Sequence, residues 1–449
     1  MTRSLPLALL LALLAGCETR PSDDDGATEL ASVGSDRDGG SRDEPDAGGG
    51  DGVSVDAGAA SDPGDRSDPH PADDDDGGTL SGDGSAPSVD TNPEDQGAED
   101  SATDEPGPDE PAPADLSAVP AILTAILDDI PGFGAGTVGG RDGALYTVTG
   151  LHDAGPGSLR EALESEEPLW IVFAPGLNGI LDMQNAMRVR SFKTVDARGH
   201  DITLRATADW NGGLRIGVAG EPGVEHVVLL NLKFDGMWPN YTQDGEGDDG
   251  INIRNDTHHV WIHQCSFTNW IDGAIDAKVD AGFTLPHHIT ISNSFFTKTH
   301  QPLAVAIDFL TFARNHCTDV TKRCIQLNDG GRAHMVNNVI ENWRAVSIVA
   351  PRDGAQLLVD HNLFKPGPDC DAVGNPLRED TDEYGRWQNE KNHWRLSWGW
   401  VAFKEASSVD GSVFSAARDT YAPVQCGPWD YDCWDALFEQ VVAEAGAHP

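Results

Sequence analysis

An all-β chain wound as a right-handed parallel β-helix, closed by short capping helices, is the fold this sequence predicts. Three observations carry it: an apolar column, an asparagine-rich column beside it, and a row spacing that suits a coil of three short strands. Aligning VVLLNLKF, VWIHQCSF, ITISNSFF, LTFARNHC, AHMVNNVI and LLVDHNLF places Phe234, Phe267, Phe296, Cys317, Ile340 and Phe364 in one column. Two residues earlier stand Leu232, Cys265, Ser294, Asn315, Asn338 and Asn362. Successive rows lie 33, 29, 21, 23 and 24 residues apart, the scale of a solenoid coil. The turns of a β-sandwich recur every 8–12 residues or so and would not give this period. Stacked asparagines can bond the backbone of the coils above and below, and alternation such as Val260-Trp261-Ile262 fits strands with one face inward.

Before the coils the chain divides by composition. Residues 1–17, MTRSLPLALLLALLAGC, hold one arginine and an apolar run too short to span a bilayer, as export signals do. Leu14-Ala15-Gly16-Cys17 resembles the lipobox of bacterial lipoproteins, which implies cleavage before Cys17 and lipidation of its thiol. An ordinary cleavage site with an incidental cysteine is the plainer alternative. The expected location is that of an outer-membrane lipoprotein at the cell surface or outside the cell, with the periplasm left open.

Residues 18–115 are Asp, Gly, Pro, Ser and Ala with few apolar residues, and they carry 30 acidic against 4 basic side chains. Such a segment cannot bury enough surface to fold, and its self-repulsion predicts a disordered, extended linker. The Asp73–Asp76 run reads as solvated spacer, since isolated carboxylates on a flexible chain hold calcium weakly.

Residues 116–449 form the predicted β-helix domain. The net charge of these residues, −19, argues against nucleic acid as a partner, and a monomer is expected. About 330 residues is large for one core, but a solenoid grows by adding coils. Of seven cysteines, six follow Cys17. Short spacings favour Cys317–Cys324 and Cys426–Cys433 as disulfides, while Cys265 falls at an inward position that suits a buried thiol. LSAVPAILTAILDDIP (116–131) and DALFEQVVAEAGA (435–447) read as short helices. Trp387, Trp394, Trp398 and Trp400 read either as a sugar platform or as cover for the last coil.

The chemistry sits in the two longest rows. Insertions there hold QDGEGDDGIN (243–252) and DGAIDAK (272–278), acidic clusters on adjacent coils. Calcium takes six to eight oxygens at about 2.3–2.6 Å, so carboxylates must converge, and in a straight strand Asp272 and Asp276 would stand about 13 Å apart. A bend near Gly273 is therefore expected. Solvated acidic turns are the bland alternative in so acidic a chain.

These residues resemble the pectate lyases of polysaccharide lyase family 1 over most of residues 133–364. GFGAGTVGGRDGALYTVTGLHDAGPGSLREALE is similar to the family's opening segment, DGINIRNDTHHVWIHQCSF to its calcium-site strand, DGAIDAK to the next coil, and LTFARNHCTDVTKRCIQLN to the coil presenting a catalytic arginine. The resemblance implies a calcium (Ca2+) site at Asp249, Asp272 and Asp276, with Asp248 or Glu246 adding an oxygen. It also implies Lys278 as a substrate-binding residue and Arg323 as the catalytic, substrate-contacting base of β-elimination on polygalacturonate. Arginine keeps its proton in nearly any setting, so a dense local positive field and alkaline pH are needed for that role.

This chain departs from the family pattern where a second lysine is expected, at Pro302, with Lys298 and His300 nearby. It departs again at Ile325 and Asn328, where the family has proline and a second arginine, so the site has fewer cations to hold a polyuronate. The rival readings are a non-catalytic glycan-binding β-helix lipoprotein and a lyase acting on another uronate polymer. A hydrolase would need a cluster of aspartates on one coil, and Asp248–Asp249 is the nearest candidate, without a partner motif.

Overall fold

The computed structural model describes residues 118–207, 212–237, 247, 249–344, 348–368, 386–390, 392–396, 399–402, 406–407, 421, 423–427 and 430–448. Over these residues the chain winds as a right-handed parallel β-helix, each coil laying a strand in each of three sheets. A long sheet of 11 strands runs from Ala144–Val148 to Ala406–Ser407, and a 10-stranded sheet from Gly179–Met183 to Gly399–Ala402. A 7-stranded sheet runs from Met187–Val189 to Val349–Pro351. Pairing is parallel until the last coil, where Arg386–Glu390 with Ala406–Ser407 and His393–Leu396 with Gly399–Ala402 turn antiparallel. The expected export signal with Cys17, the acidic linker, Cys370 and Trp398 lie outside the described residues, as do the side chains of Trp387, Trp394 and Trp400.

Both sequence columns are ladders of the fold. Phe234, Phe267, Phe296, Cys317, Ile340 and Phe364 pair in register through the 10-stranded sheet and are fully buried. Rings 234, 267 and 296 stack at 4.8 and 5.0 Å. The second column lies at the corner between the long and 10-stranded sheets. Its preceding residues, Asn231, Gln264, Asn293, Arg314, Asn337 and His361, all have φ between 48° and 61°, a left-handed bend that costs a side-chain-bearing residue roughly 1–2 kcal/mol. The ladder offsets that cost with buried hydrogen bonds. The Asn338 amide donates to Phe312 O at 2.9 Å and Asn362 Oδ1 at 2.8 Å, and its oxygen accepts from Asn315 N at 2.8 Å. Asn362 continues the series to Asn392.

Among the described residues one helix caps the first coils, while the other helical segments lie on the outer faces of the sheets. Helix Leu159–Glu164, capped by Ser158 accepting from Glu161 N, buries Leu159, Ala162 and Leu163 over the first coils. The 116–131 segment is helical from Ala121–Thr124 and tightens to a 3-10 turn over Ala125–Asp129, seating Leu127 and Ile130 on Trp170, Val228 and Trp261. The glycine-rich stretch that follows lies flat on the long sheet. N–H groups of Phe133, Gly134 and Gly140 donate to Oγ1 of Thr311, Thr290 and Thr194 at 2.9, 2.9 and 3.0 Å. A β-carbon at residue 140 would stand 2.0 Å from Leu169 O, which is why glycine is needed there. The C-terminal helix starts earlier than the sequence suggests, at Tyr431–Glu444, because Asp430 caps it by accepting from Cys433 N. It buries Trp434, Leu437 and Val441 on Val339 and Leu363. Cys317–Cys324 and Cys426–Cys433 are disulfides, and Cys265 is a free buried thiol.

One expectation is corrected. DGAIDAK is not an insertion: Gly273–Lys278 is a regular strand of the 7-stranded sheet, and the extra residues of that row form the loop 279–286 after it. Asp276 is held within that strand and Asp272 directly before it.

Candidate active site

The outer face of the 7-stranded sheet is built by simple alternation. In strand Ile251–Arg254, Ile251 and Ile253 point into the core, leaving Asn252 and Arg254 outward; in Gly273–Lys278, Ile275 and Ala277 are inward, leaving Asp276 and Lys278 outward. Register aligns Asn252 with Asp276, Arg254 with Lys278, and Gly273 with Gln301. The Leu303 N–H donates to Arg323 O at 3.2 Å, bringing the arginine turn onto the next coil.

Five of the residues expected from the sequence meet on this face. Asp249 and Asp276, only 7% and 6% exposed, share one amide: Asn252 Nδ2 donates to Asp249 Oδ2 at 3.4 Å and Asp276 Oδ2 at 3.3 Å. Asp249 Oδ1 accepts from Gly273 N at 3.0 Å, and Lys278 Nζ pairs with Asp276 Oδ2 at 3.0 Å. Asp272, in the turn just before the strand, accepts from Gln301 Nε2 at 2.7 Å. Gln301 Oε1 accepts in turn from Arg323 Nη1 at 2.5 Å. Arg323 has φ 56° and is followed directly by the disulfide-bonded Cys324, so a left-handed backbone and a covalent staple together set its position.

Burial dominates the electrostatics. It raises the Asp272 carboxyl above its ordinary value, against the pull of Gln301, Lys278, His300 and Arg323. It raises Asp276 as well, with Asp272 adding to the shift and Lys278 opposing it. For Lys278, burial works against the charge, but Asp276 and Asp249 outweigh it and hold the ammonium above its usual value. Among the described residues, no three acid, histidine or cysteine side chains stand close enough to hold a metal ion by themselves. The donors are nevertheless hard carboxylate oxygens crowded where burial disfavours their charge, and that chemistry fits a calcium ion.

Other expected residues fall elsewhere. Asp248 and Glu246 lie outside the described residues. Pro302 is buried, between the register pairs Gly273–Gln301 and Ile275–Leu303. Asn328 accepts from Gln326 Nε2 at 2.9 Å. Lys298 is exposed at a left-handed corner, whereas His300 is buried near Asp272. Three site residues were not singled out from the sequence: Asn252, Gln301 and Arg254, the last donating to Asn252 Oδ1 at 3.0 Å. The period-2 alternation of INIRN beside AIDAK was the available signal for Asn252 and Arg254. Gln301 carried none, because its role depends on register with Gly273.

No protein-family model matches the chain. Pectate lyase 5 of Ambrosia artemisiifolia is 31% identical over 319 residues, covering 65% of this chain and 73% of that protein. Pectate lyase 3 of the same plant is 28% identical over 311 residues, covering 65% and 72%. Probable pectate lyase 13 of Arabidopsis thaliana is 29% identical over 303 residues, and the chain spans only 55% of that protein's length. Among solved structures, a pectate lyase from Bacillus sp. N165 in complex with trigalacturonate is 16% identical, covers 71% of this chain and 98% of its own, and has a TM-score of 0.48. With 31% identity across 73% of pectate lyase 5, the chain belongs to the pectate lyase family.

Proposed function

We propose that this protein is a calcium-dependent lyase that cleaves polygalacturonate by β-elimination while tethered to the cell surface. The observation that carries the reading is the contiguity of Asp249, Asp276, Lys278, Asp272, Gln301 and Arg323 on one sheet face, with the arginine one amide away from the acids. Carboxylates of Asp249, Asp272 and Asp276 would hold calcium. When bound, the ion would neutralise a uronate carboxylate and so acidify its C5 proton.

Lys278, whose side chain is exposed beside Asp276, would pair with a substrate carboxylate. Arg323 removes the C5 proton, the electron pair forms the C4–C5 double bond, and the C4–O bond breaks with its oxygen taking a proton from water. Loss of the cations expected at Pro302 and Asn328 predicts weaker hold on the polymer. Mixing the protein with polygalacturonate at alkaline pH, with calcium and then with chelator, tests the reading through the ultraviolet absorbance of the unsaturated product. A calcium-dependent rise supports it. Binding to polygalacturonate, pectin or alginate without product would instead mark a glycan-binding protein.

The tether rests on Leu14-Ala15-Gly16-Cys17 and the acidic linker of residues 18–115. Cys17 would carry the lipid and the linker would hold the β-helix away from the membrane. Metabolic labelling with a fatty-acid analogue tests this: label should disappear in Cys17→Ala, and retained label contradicts it.

A further inference from the structure

We infer that Gln301 is a positioning residue that sets the orientation of Arg323 and couples it to Asp272. This rests on the reading of Arg323 as base. The Gln301 amide donates to Asp272 Oδ1 at 2.7 Å and accepts from Arg323 Nη1 at 2.5 Å. The amide does both without adding charge. A lysine there would pair with Asp272 but repel the guanidinium, and a glutamate would do the reverse. The arrangement repeats two coils back, where Asn252 donates its N–H groups to Asp249 and Asp276 and its oxygen accepts from Arg254. Neutral amides thus separate acid from guanidinium twice on this face. The consequence differs at Gln301, because its partner is the arginine placed at the reaction.

Arg323 sits on a left-handed residue in a turn, not within a strand, so its long side chain needs a fixed contact to hold one direction. Gln301 belongs to strand Gln301–Val305 and supplies one such contact from a rigid element. The same bond occupies one oxygen of Asp272. Removing Gln301 therefore has opposite effects on two quantities: the arginine loses its aim, while Asp272 gains a free oxygen for a cation.

The test compares wild type, Gln301→Met and Gln301→Glu in steady-state cleavage of polygalacturonate and in calcium-titrated thermal unfolding. Gln301→Met should lower kcat about ten- to a hundredfold with little change in KM, while calcium stabilises it at the same or lower concentration than wild type. Gln301→Glu, which keeps the acceptor for Arg323 but strengthens the guanidinium's hold on its proton, should leave kcat low and move its pH profile to higher pH, a shift that a merely structural role would not give. Unchanged kcat in Gln301→Met overturns the inference, as does a fall in kcat accompanied by weaker calcium stabilisation, the mark of a merely structural role. Arg323→Ala run alongside separates the two readings: if it keeps full activity, the base assignment fails whatever Gln301 does.

Discussion

Asp249 and Gly273 are fitted to each other: the carboxylate Oδ1 accepts the Gly273 N–H at 3.0 Å, and a β-carbon on residue 273 would stand 2.4 Å from that oxygen. The strand's backbone thus serves as a wall of the site. Gly273→Ala should push the carboxylate away from Asp276, costing roughly 1–3 kcal/mol of stability and weakening calcium stabilisation of the fold. Thermal unfolding with and without calcium reads both effects. An alanine variant stabilised by calcium as strongly as wild type would show that Asp249 does not belong to the ion site.

A histidine ladder at the N-terminal ends of central strands of the long sheet predicts acid sensitivity. Phe192, His226, His259, His288 and Phe309 stack at 4.8–5.4 Å, and His258 and His287 flank them, bonding Nδ1 to Nδ1 of His259 and His288 at 2.8 and 2.7 Å. His226 Nδ1 accepts the N–H of Val138 from the glycine-rich strap and must be unprotonated to do so. Burial, then the neighbouring histidines, pushes His259 down to about 4, and burial lowers His226, His287 and His288 too. Glu225, Asp308 and Asp256 oppose the shift, while Arg332 adds to it at His288. The unfolded chain takes up these protons near pH 6.5 and the folded chain only below it, so stability is lost as pH falls from about 6.5 toward 4. Urea midpoints should drop across that window and less steeply in His259→Gln. A midpoint independent of pH there contradicts the reading.

Asp276 predicts a stability trade between metal-free and calcium-bound protein. Its folded value is raised, so its protonated form favours folding below the ordinary carboxylate range and its charged form opposes folding once pH rises through the raised value. In chelator at neutral pH, Asp276→Asn should therefore raise Tm by roughly 1–3 °C. With calcium at a hundred times its Kd, wild type should gain about 2.7 kcal/mol that the variant does not. A variant less stable in chelator contradicts the trade, and one that keeps the calcium gain would remove Asp276 from the site.

The β-helix was legible because its repeat is written in residue type. Phe234, Phe267, Phe296 and Phe364 fill one ladder, and Asn315, Asn338 and Asn362 another, so aligning rows recovers the register itself. Asp249, Asp276 and Lys278 were legible through resemblance and proved to share one face. What the sequence could not show is which neutral residues join them. Asn252 pairs with Asp276 on the next coil and Gln301 with Gly273 on the one before, and nothing local to INIRN or THQPL states that pairing. The same blindness misplaced DGAIDAK in an insertion, because row length does not say where in a coil the extra residues lie.

The most direct test of the central claim is the initial rate of unsaturated product formation from polygalacturonate, with calcium at alkaline pH, in wild type and Arg323→Ala. Calcium-induced thermal stabilisation of both proteins serves as the folding control. The expected result is a calcium-dependent rate in wild type that falls about 10²–10⁴-fold in Arg323→Ala while calcium still stabilises the variant. A wild-type rate in Arg323→Ala would contradict it and leave the elimination without its base.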